Sequence, residues 1–541
     1  MDLRQWDYWL NQGYGQLFPA IAKRILDGIE FGVPVDYQGE RTQSRSARNP
    51  PIPDDWKVKV NEVITADVAS LKKAGPFDRQ PFAFFCVSPI SAVPKKNSEK
   101  LRVVHNLSHP FHGDSVNASV WHEYMPISSF GHAARAVVQL GLGCWLVKLD
   151  VEAAYKQVPV RPEDWCLLGF QWESKWYYER VLPFGLRSSC RLWEIYAAAL
   201  HHFLAKSLSL PFDRIVIHYV DDFLFVVKVK HHAEEFRDAA LRLCSMLGIP
   251  MAAGKTEGPV NSLTFLGIEL DTVKMEARLP VQRKLDLERL CRDWAERPTA
   301  SVKELQSLVG TLQFACAVVR PGRFYLRRII AHMTHVKAIA PRRSVQHPLT
   351  RAVRADIQWW LDFLPTWNGH SLLYELDWSR ADRIELFTDA CNTGYGGYYK
   401  GSWFAGQWSP SQLAGAHRKQ RISMPFLEMH ALTYAAVTFG HLWSTKKIIF
   451  RCDCMPVVQA ITKCSSRRPE IMHLLRLLSA TACRYAFDFR CEHIVGETNV
   501  IADILSRHDD CPQFRALCSN ADLHRTPVVE IDLTPLQLQG Q

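Results

Sequence analysis

Two adjacent carboxylates, Asp221 and Asp222, stand between two apolar runs in IVIHYVDDFLFVVK, residues 215–228. The β-branched and aromatic composition of both runs predicts two strands with the aspartates at a tight turn. An acidic hairpin turn in solvent is the simple alternative. Such turns usually read Asn-Gly or Asp-Gly, however, and here Phe and Leu follow directly. Because buried like charges repel unless a cation neutralises them, we interpret the pair as part of a divalent metal site.

A third carboxylate, Asp150, ends the apolar run WLVKLD at 145–150. If the two segments form adjacent strands, Asp150 lies beside the tip of the hairpin. Three hard oxygen ligands suit Mg²⁺, with Mn²⁺ as the alternative. Two such ions about 3.5–4 Å apart activate an attacking hydroxyl and stabilise a leaving oxygen in phosphoryl transfer. The trio therefore predicts nucleotide polymerisation with two Mg²⁺ ions.

Four more carboxylates lie at the ends of elements expected in the last third of the chain. Asp389 ends the strand IELFTD, Glu428 lies on the next helix, Asp453 follows the strand KKIIFRC, and Asp503 begins a late helix. Taken singly, each is explained by a helix cap or a surface charge. Together, in this strand and helix order, they can converge on a second pair of metal ions.

The first cluster and its surroundings resemble reverse transcriptases in four motifs that occur in the expected order. These are LDVEAAYKQVPV at 149–160, LPFGLRSS at 182–189, YVDD at 219–222 and FLGIELD at 265–271. The resemblance covers about residues 80–275. It implies a right-hand polymerase that copies an RNA template onto a DNA primer with deoxynucleoside triphosphates.

Residue roles follow from this resemblance. Asp150, Asp221 and Asp222 would hold the two metal ions, and Lys255 would protonate the departing pyrophosphate. Tyr155 would exclude the ribose 2′-hydroxyl, although a plain core aromatic is the alternative. The full set expected to bind the nucleotide is Lys95, Lys96, Arg102, Val151 (through its carbonyl), Tyr155, Phe184 and Gly185. The set expected to contact the primer or the duplex is Phe265, Leu266, Gly267, Arg327, Arg328, Arg342 and Arg343.

The second cluster resembles ribonuclease H. That resemblance implies that Asp389, Glu428, Asp453 and Asp503 bind two Mg²⁺ ions and direct water at the RNA of an RNA–DNA hybrid. His493, in the form HxxGxxNxxAD, is either a mobile catalytic histidine or the end of a strand.

The head of the polymerase region, including AGPFDRQPFAFFCVSPISAVPKK, resembles DIRS-type retrotransposons, which carry a tyrosine recombinase. Cys190 replaces a proline, and His105 an aspartate, that many relatives carry nearby. Two other functions remain open. One is a host-adopted, noncatalytic nucleic-acid-binding protein derived from a retroelement, which the intact carboxylates disfavour. The other is an RNA-templated RNA polymerase, which Tyr155 and the second cluster disfavour.

Charge and composition agree with a polyanionic partner in a reducing compartment. The net charge is +10, and residues 320–354 contain basic but no acidic side chains. A solvated helix face is the alternative explanation for that stretch. The 15 cysteines show no CxxC pair. With neither a signal peptide nor a run of about 18 apolar residues, we expect an intracellular protein, nuclear or cytoplasmic, not secreted and without a membrane partner.

We therefore expect an α+β and α/β multidomain chain: a right-hand polymerase (fingers, palm, thumb), a connection segment and a ribonuclease H-like domain. The boundaries are 1–57 for an N-terminal helical segment and linker, 58–275 for fingers and palm, 276–375 for basic thumb and connection helices, 376–507 for the ribonuclease H-like domain, and 508–541 for a flexible tail. Oligomeric state is left open.

Overall fold

The computed structural model describes residues 1–94, 101–111, 113–339, 345–367, 369–371, 383–410, 412–413, 417–418, 421–444, 446–507, 512–520 and 522–528. The chain forms two compact units. The first comprises Met1–Leu266 with Leu270–Lys274, and the second comprises Gly267–Glu269 with Met275–Gln541.

The first unit is built from helices and short strands. Its helices are α1 Leu3–Trp9, α2 Gly15–Leu17, α3 Pro19–Glu30, α4 Asp54–Ala69, α5 Phe130–Leu140, α6 Ser189–His202 and α7 Lys230–Met246. Its strands are β1 Lys73–Phe77, β2 Ile90–Pro94, β3 Leu101–His105, β4 Trp145–Asp150, β5 Gly169–Trp172, β6 Lys175–Glu179, β7 Arg214–Tyr219, β8 Asp222–Val227, β9 Glu257–Val260 and β10 Ser262–Phe265, and β11 Ile268–Asp271 follows.

The central sheet of this unit has the order β7-β8-β4-β9, with all neighbours antiparallel. Strand β8, DFLFVV, lies in the interior of the sheet and is buried along nearly its whole length. A strand covered on both faces needs a continuous apolar run rather than an alternating one. Helix α7 packs on β4 and β8 through Phe236, Ala240 and Leu243, which recur every three or four residues.

The N-terminal segment belongs to the core of the first unit, which differs from the separate segment and linker expected at 1–57. Trp6 is fully buried, packs against Tyr196 and donates its indole N–H to the carbonyl of Leu247 at 3.1 Å. Within the expected linker, Asn49 accepts a hydrogen bond from the backbone N–H of Ile90 at 2.9 Å. At least one polar side chain of this stretch is therefore hydrogen-bonded to β2.

The second unit begins with helices and continues as an α/β sheet. Its helices are α8 Val281–Glu296, α9 Val302–Ala315, α10 Arg327–Ile339, α11 Arg351–Phe363, α12 Met424–Phe439, α13 Met455–Thr462, α14 Pro469–Arg484, α15 Val500–Arg507 and α16 Pro512–Cys518. Its strands are β12 Glu276–Arg278, β13 Thr299–Ser301, β14 Gln346–Pro348, β15 His370–Ser371, β16 Arg383–Ala390, β17 Gly394–Tyr399, β18 Ser402–Gln407, β19 His417–Arg418, β20 Arg421–Ile422, β21 Lys447–Cys452, β22 Asp488–His493 and β23 His524–Arg525.

The large sheet of the second unit has the order β22-β21-β16-β17-β18-β23. Strands β16, β21 and β22 are parallel, whereas β17 runs antiparallel to both of its neighbours. Helix α12 packs on β16 and β17 and is apolar around almost its whole circumference, as expected of a helix enclosed by sheet and helices. Carboxyl ends of the parallel strands consequently meet at one edge beside α12.

Local signals in the sequence account for several element ends. Helix α9 begins at a capping box in which the Ser301 hydroxyl accepts from the backbone N–H of Glu304, while the Glu304 carboxylate accepts from the N–H of Ser301 at 2.9 Å. The expected flexible tail at 508–541 contains a short helix, α16, and the strand β23, which pairs with β18. Among the described residues, none of the helices combines the length and the apolar character needed to cross a bilayer.

Candidate functional site

The three carboxylates of the first cluster meet at the tip of the β7–β8 hairpin. Asp150 pairs directly with Asp222 in the register of β4 and β8. The backbone N–H of Val151 donates to the carbonyl of Asp221 at 2.9 Å, which joins the end of β4 to the hairpin turn. Val220 adopts a positive φ of 57° in that turn. The structure thus brings together the trio that the sequence predicted.

Burial and mutual repulsion raise the pKa of two carboxylates in this cluster. Asp150 is only 5% exposed. Burial raises the pKa of Asp222 to about 6, and the charges of Asp221 and Asp150 act in the same direction. Burial, followed by the charge of Asp150, also raises the pKa of Asp221. Three crowded carboxylate groups, two of them with a raised pKa, form a donor set that fits hard divalent cations.

Lys255 is part of the same cluster. It ends a 3₁₀ turn, Ala253–Lys255, and its Nζ lies 2.8 and 2.7 Å from the two carboxylate oxygens of Asp150. The backbone N–H of Ala252 donates to the carbonyl of Asp150 at 2.8 Å and fixes this turn against β4. The structure therefore places Lys255 beside the trio, whereas its expected role as an acid stays a prediction.

A cavity of about 1520 Å³ opens beside the trio. Tyr155 and Phe184 both line it, with their ring centroids 5.3 Å apart. The Arg102 guanidinium lies over the Phe184 ring at 4.7 Å and brings a positive charge to the cavity. Of the residues expected to bind a nucleotide, this cavity is lined by Arg102, Val151, Tyr155 and Phe184. Lys95 and Lys96 lie outside the described residues.

Gly185 has no space for a side chain. Its φ is +116°, and a Cβ atom would lie 1.9 Å from the carbonyl oxygen of His105. The backbone N–H of His105 donates to the carbonyl of Phe184 at 2.9 Å, so the turn is held against β3. The His105 ring contacts the carbonyl of Gly169 at 3.0 Å, and burial, followed by the charge of Lys73, lowers the pKa of His105 to about 3. His105 is therefore a neutral structural residue.

Asn117 also shapes this turn, although the sequence did not single it out. Its side-chain amide donates to the carbonyl of Gly185 at 2.8 Å, and its Oδ1 accepts from the backbone N–H of Arg187 at 2.8 Å. The partners are 68 and 70 positions away in sequence, so no local pattern could reveal them. Cys190, noted only as a departure from relatives, lines the same cavity as Tyr155.

The second cluster lies at the carboxyl edge of the large sheet. Asp389 is on β16 and Asp453 directly follows β21, its parallel neighbour. Glu428 projects from α12, and ligand atoms of Glu428, Cys452 and Asp453 lie within 4.8 Å of one another. Asp503 is on α15, which packs on β16 and β17.

The carboxylates of the second cluster are buried or half-buried close to one another, as those of the first cluster are. Burial raises the pKa of Asp389 to about 6 against a 2.5 Å hydrogen bond from the Ser506 hydroxyl, and nearby Asp453 and Asp503 raise it further. Burial also raises the pKa of Glu428 well above its usual value. Asp503 is paired with Arg507, one helical turn later, at 2.7 Å. The predicted quartet therefore shares one acidic site.

His493 ends β22 and is exposed, and its Nε2 lies 3.1 Å from the backbone carbonyl oxygen of Asp453. This places the ring next to the second cluster. The contact is compatible with both interpretations of His493, the catalytic one and the structural one.

The residues expected to contact a duplex differ in their accessibility. The Phe265 side chain is fully buried, so only the following turn, where Leu266 and Gly267 have positive φ values, remains available. Arg328 is bound to the buried carboxylate of Asp356, which gives it a structural partner rather than a free charge. Arg327 is half-buried. Arg342 and Arg343 lie outside the described residues.

Comparison with known proteins identifies a family match over the region that contains the first cluster. Residues 93–270 match the family described as "Reverse transcriptase (RNA-dependent DNA polymerase)". The chain is 23% identical over 372 residues to Polyprotein P3 of Commelina yellow mottle virus, covering 66% of this chain and 18% of that protein. It is 22% identical over 507 residues to the Transposon Tf2-3 polyprotein of Schizosaccharomyces pombe, covering 89% of this chain and 33% of that protein. The chain thus spans a third or less of these relatives.

A solved structure of the foamy viral protease-reverse transcriptase in complex with dsDNA is similar in fold. The TM-score is 0.50 at 16% identity, and the match covers 91% of this chain and 97% of that one. The chain contains a reverse transcriptase domain of the kind found in retrotransposon and viral polyproteins. The predicted fold class, a right-hand polymerase of mixed α and β structure, is confirmed.

Proposed function

We propose that the chain is the RNA-directed DNA polymerase of a retrotransposon, with an attached ribonuclease H that degrades RNA in RNA–DNA hybrids. The observation that carries the first half is the meeting of Asp150, Asp221 and Asp222 beside a cavity lined by Tyr155 and Arg102. The residues supply hard acceptors, a basic group and an aromatic wall, which is what a deoxynucleoside triphosphate requires.

Two Mg²⁺ ions, or Mn²⁺ as the alternative, fit the oxygen-only trio and would activate the primer hydroxyl and stabilise the leaving oxygen. The remaining steps belong to side chains of this chain. Arg102 attracts the triphosphate, and Tyr155 crowds the position of a ribose 2′-hydroxyl. Lys255 gives its ammonium proton to the pyrophosphate as that group leaves.

The second half rests on the acidic quartet. Asp389, Glu428 and Asp453 lie at one edge of a sheet in which the antiparallel strand β17 follows the three parallel strands β22, β21 and β16, an order that supports a ribonuclease H-like fold. The oxygen donors of Asp389, Glu428, Asp453 and Asp503 would hold two further Mg²⁺ ions, which would supply the activation of water for attack on an RNA phosphodiester. His493 then acts as a proton carrier or only as the end of β22.

The proposed organisation keeps fingers and palm at 58–275, thumb and connection at 276–375, and the ribonuclease H-like domain at 376–507. The border between the compact units, at Leu266 to Met275, supports the first of these divisions. The partners are an RNA template, a DNA primer, the resulting hybrid and deoxynucleoside triphosphates, inside the cell. The double-stranded DNA bound by the foamy viral enzyme supports a duplex partner. The motifs near residue 80 favour a DIRS-type element.

Primer extension on an RNA template, with the RNA strand labelled, tests both halves in one assay. Asp221→Asn/Asp222→Asn should abolish DNA synthesis and leave cutting of a preformed hybrid. Asp389→Asn should abolish cutting and leave synthesis. The matched controls are Asp213→Asn and Asp522→Asn, which alter exposed aspartates outside both clusters.

The two proposed activities, DNA synthesis and hybrid cutting, can be disproved independently. Synthesis that survives the first double substitution excludes the trio as the polymerase centre. Hybrid cutting that survives Asp389→Asn excludes the quartet as the nuclease centre. Hybrid binding without metal-dependent synthesis or cutting in the unsubstituted chain would favour a noncatalytic binding protein.

A further inference from the structure

Cys452 places sulfur inside the second acidic cluster. It is the last residue of β21 and is fully buried, and its Sγ lies within 4.8 Å of carboxylate oxygens of Glu428 and Asp453. Asp453 is only half-buried, which leaves a route from solvent into the group. Of the described residues, these three form a set of candidate metal ligands that mixes one soft and two hard donors.

An independent observation points to a ligand at this place. Oε2 of Glu428 is buried and has no hydrogen-bond partner in the described part of the chain, although the residue is only 5% exposed. A buried carboxylate oxygen without a partner costs free energy and is rarely left so in a folded protein. A cation bound between Glu428 and its neighbours would satisfy that oxygen.

The sulfur determines which cation fits best. Mg²⁺ prefers oxygen ligands and octahedral geometry, whereas Zn²⁺ bonds to thiolate at about 2.3 Å and to carboxylate at about 2.0–2.2 Å. The backbone N–H of Cys454 donates to the Cys452 Sγ at 3.4 Å, the kind of surrounding contact that orients a metal-binding thiolate.

We propose that Glu428, Cys452 and Asp453 form a site for a thiophilic divalent cation, Zn²⁺ or Cd²⁺. When bound, this cation would exclude Mg²⁺ from the carboxylates of Glu428 and Asp453. On binding, the Cys452 thiol releases its proton to solvent and the sulfur donates an electron pair to the ion. No oxidation is involved. The binding site stands on the geometry alone, whereas its inhibitory consequence rests on the proposed ribonuclease H function.

Zinc binding to the full chain is the primary test. Zn²⁺ is titrated in competition with a chromophoric zinc chelator, comparing the unsubstituted chain with Cys452→Ser. The control is Cys464→Ser, which removes a half-buried thiol elsewhere in the second unit and leaves the background of other cysteines matched. The unsubstituted chain and the control should bind one more Zn²⁺ than Cys452→Ser, or bind it at least about tenfold more tightly. Substituting a residue that only surrounds a metal ligand typically weakens binding about 10–100-fold, so removing a ligand itself should weaken it at least as much. Equal binding by all three overturns the proposal.

Two further measurements keep the result decisive. With Cd²⁺, the ultraviolet thiolate-to-metal charge-transfer band should be smaller in Cys452→Ser than in the control, and excess Mg²⁺ should weaken the binding that the substitution removes. If Cys452→Ser does not fold, Asp453→Asn takes its place, since it removes a half-buried carboxylate ligand and keeps the thiol. A Cd²⁺ band of unchanged size in Cys452→Ser contradicts a thiolate ligand at this site. For Asp453→Asn the readout is the Zn²⁺ affinity, and an affinity equal to that of the unsubstituted chain overturns the site.

Hybrid cutting supplies a separate readout. Low Zn²⁺ in the presence of Mg²⁺ should inhibit cutting by the unsubstituted chain and by Cys464→Ser but not by Cys452→Ser. If no protein cuts a hybrid while the zinc-binding difference persists, the nuclease proposal fails and the metal site stands. If cutting is present and Zn²⁺ inhibits Cys452→Ser equally, the inhibitory consequence is wrong.

Discussion

The ammonium group of Lys255 spans both carboxylate oxygens of Asp150, at 2.8 and 2.7 Å. The Lys255 side chain is 63% exposed, whereas that of Asp150 is 7% exposed, so an accessible cation is bound to a buried anion. Partial burial opposes the charge on Lys255, yet the hydrogen bonds and charge of Asp150 outweigh it and raise the pKa of Lys255. A metal ion bound to Asp150 would compete for these oxygens and would leave the ammonium free to contact a phosphate.

Replacing Lys255 tests this exchange. We expect Lys255→Ala to reduce the rate of single-nucleotide incorporation by about 10²–10⁴-fold, the usual contribution of a positioned acid. Lys255→Arg should keep the charge but recover little of the rate, because guanidinium does not release its proton. Rapid-quench kinetics over a range of pH is the measurement, with the exposed Lys228→Ala as control. An unchanged rate in Lys255→Ala would exclude the role.

The raised pKa of Asp222, about 6, predicts that Asp222→Asn increases the free energy of unfolding but abolishes activity. The folded chain holds this proton more tightly than the unfolded chain, so between pH about 4 and 6 it binds more protons, and the free energy of unfolding falls as pH rises through that window. Without divalent ions near neutral pH, Asp222→Asn should therefore stabilise the first unit by about 1–2 kcal/mol, discounted for partial exposure, while abolishing synthesis.

Thermal unfolding in chelator measures that effect. Added Mg²⁺ should raise the melting temperature of the unsubstituted chain more than that of Asp222→Asn, because ligand binding stabilises only a competent site. A lower melting temperature for Asp222→Asn in chelator would show that repulsion in the trio is already relieved by other contacts.

Gly185 and Gly141 form a matched pair for backbone strain and steric clash. Both have a positive φ, +116° at Gly185 and +93° at Gly141. A Cβ added at Gly185 would lie 1.9 Å from the carbonyl oxygen of His105, whereas a Cβ added at Gly141 would have no neighbouring heavy atom of the described residues within 4 Å. Gly141→Ala should cost about 1–2 kcal/mol from strain alone. Gly185→Ala should cost clearly more in chemical denaturation and should also impair nucleotide incorporation. Equal costs at the two positions would mean that the turn shifts freely.

Asn117 should act as a positioning residue for the Gly185 turn. Asn117→Ala removes the bonds to the Gly185 carbonyl and the Arg187 N–H, at a cost of about 1–3 kcal/mol for the groups left unsatisfied. Asn117→Asp keeps an acceptor for Arg187 and loses the donor to Gly185, so an intermediate effect is expected. In steady-state kinetics the KM for the nucleotide should rise more than kcat falls. A change in stability with no change in KM would make the role structural only.

Short motifs at strand ends made both acidic clusters predictable from sequence. Asp150, Asp222 and Asp389 each lie within a strand whose apolar run is visible in the sequence, so periodicity fixes where the carboxylate lies. Contacts between distant positions were not predictable. Trp6 bonds to Leu247 across 241 positions, and no local pattern marks the partner of an amphipathic helix. The contact between Arg328 and Asp356 is also invisible in local sequence patterns. We therefore expected Arg328 to contact a duplex, whereas the structure shows it bound to Asp356.

Arg327 and Arg328 are adjacent in α10 but should respond differently to neutralisation. Arg328 donates to the fully buried Asp356, which also accepts from Arg476 at 2.7 Å. Removing one partner of such a group costs about 3–5 kcal/mol, so Arg328→Gln should destabilise the second unit and leave the salt dependence of duplex binding unchanged.

Arg327→Gln should leave stability nearly unchanged. If Arg327 contacts a phosphate, this substitution should reduce the slope of log affinity against log salt by about 0.9, because one fewer counterion is released when the duplex binds. Binding isotherms at several salt concentrations, paired with denaturation curves for both variants, give the comparison. A reduced slope for Arg328→Gln would return Arg328 to the duplex surface, and unchanged slopes for both would exclude this turn of α10 from the interface.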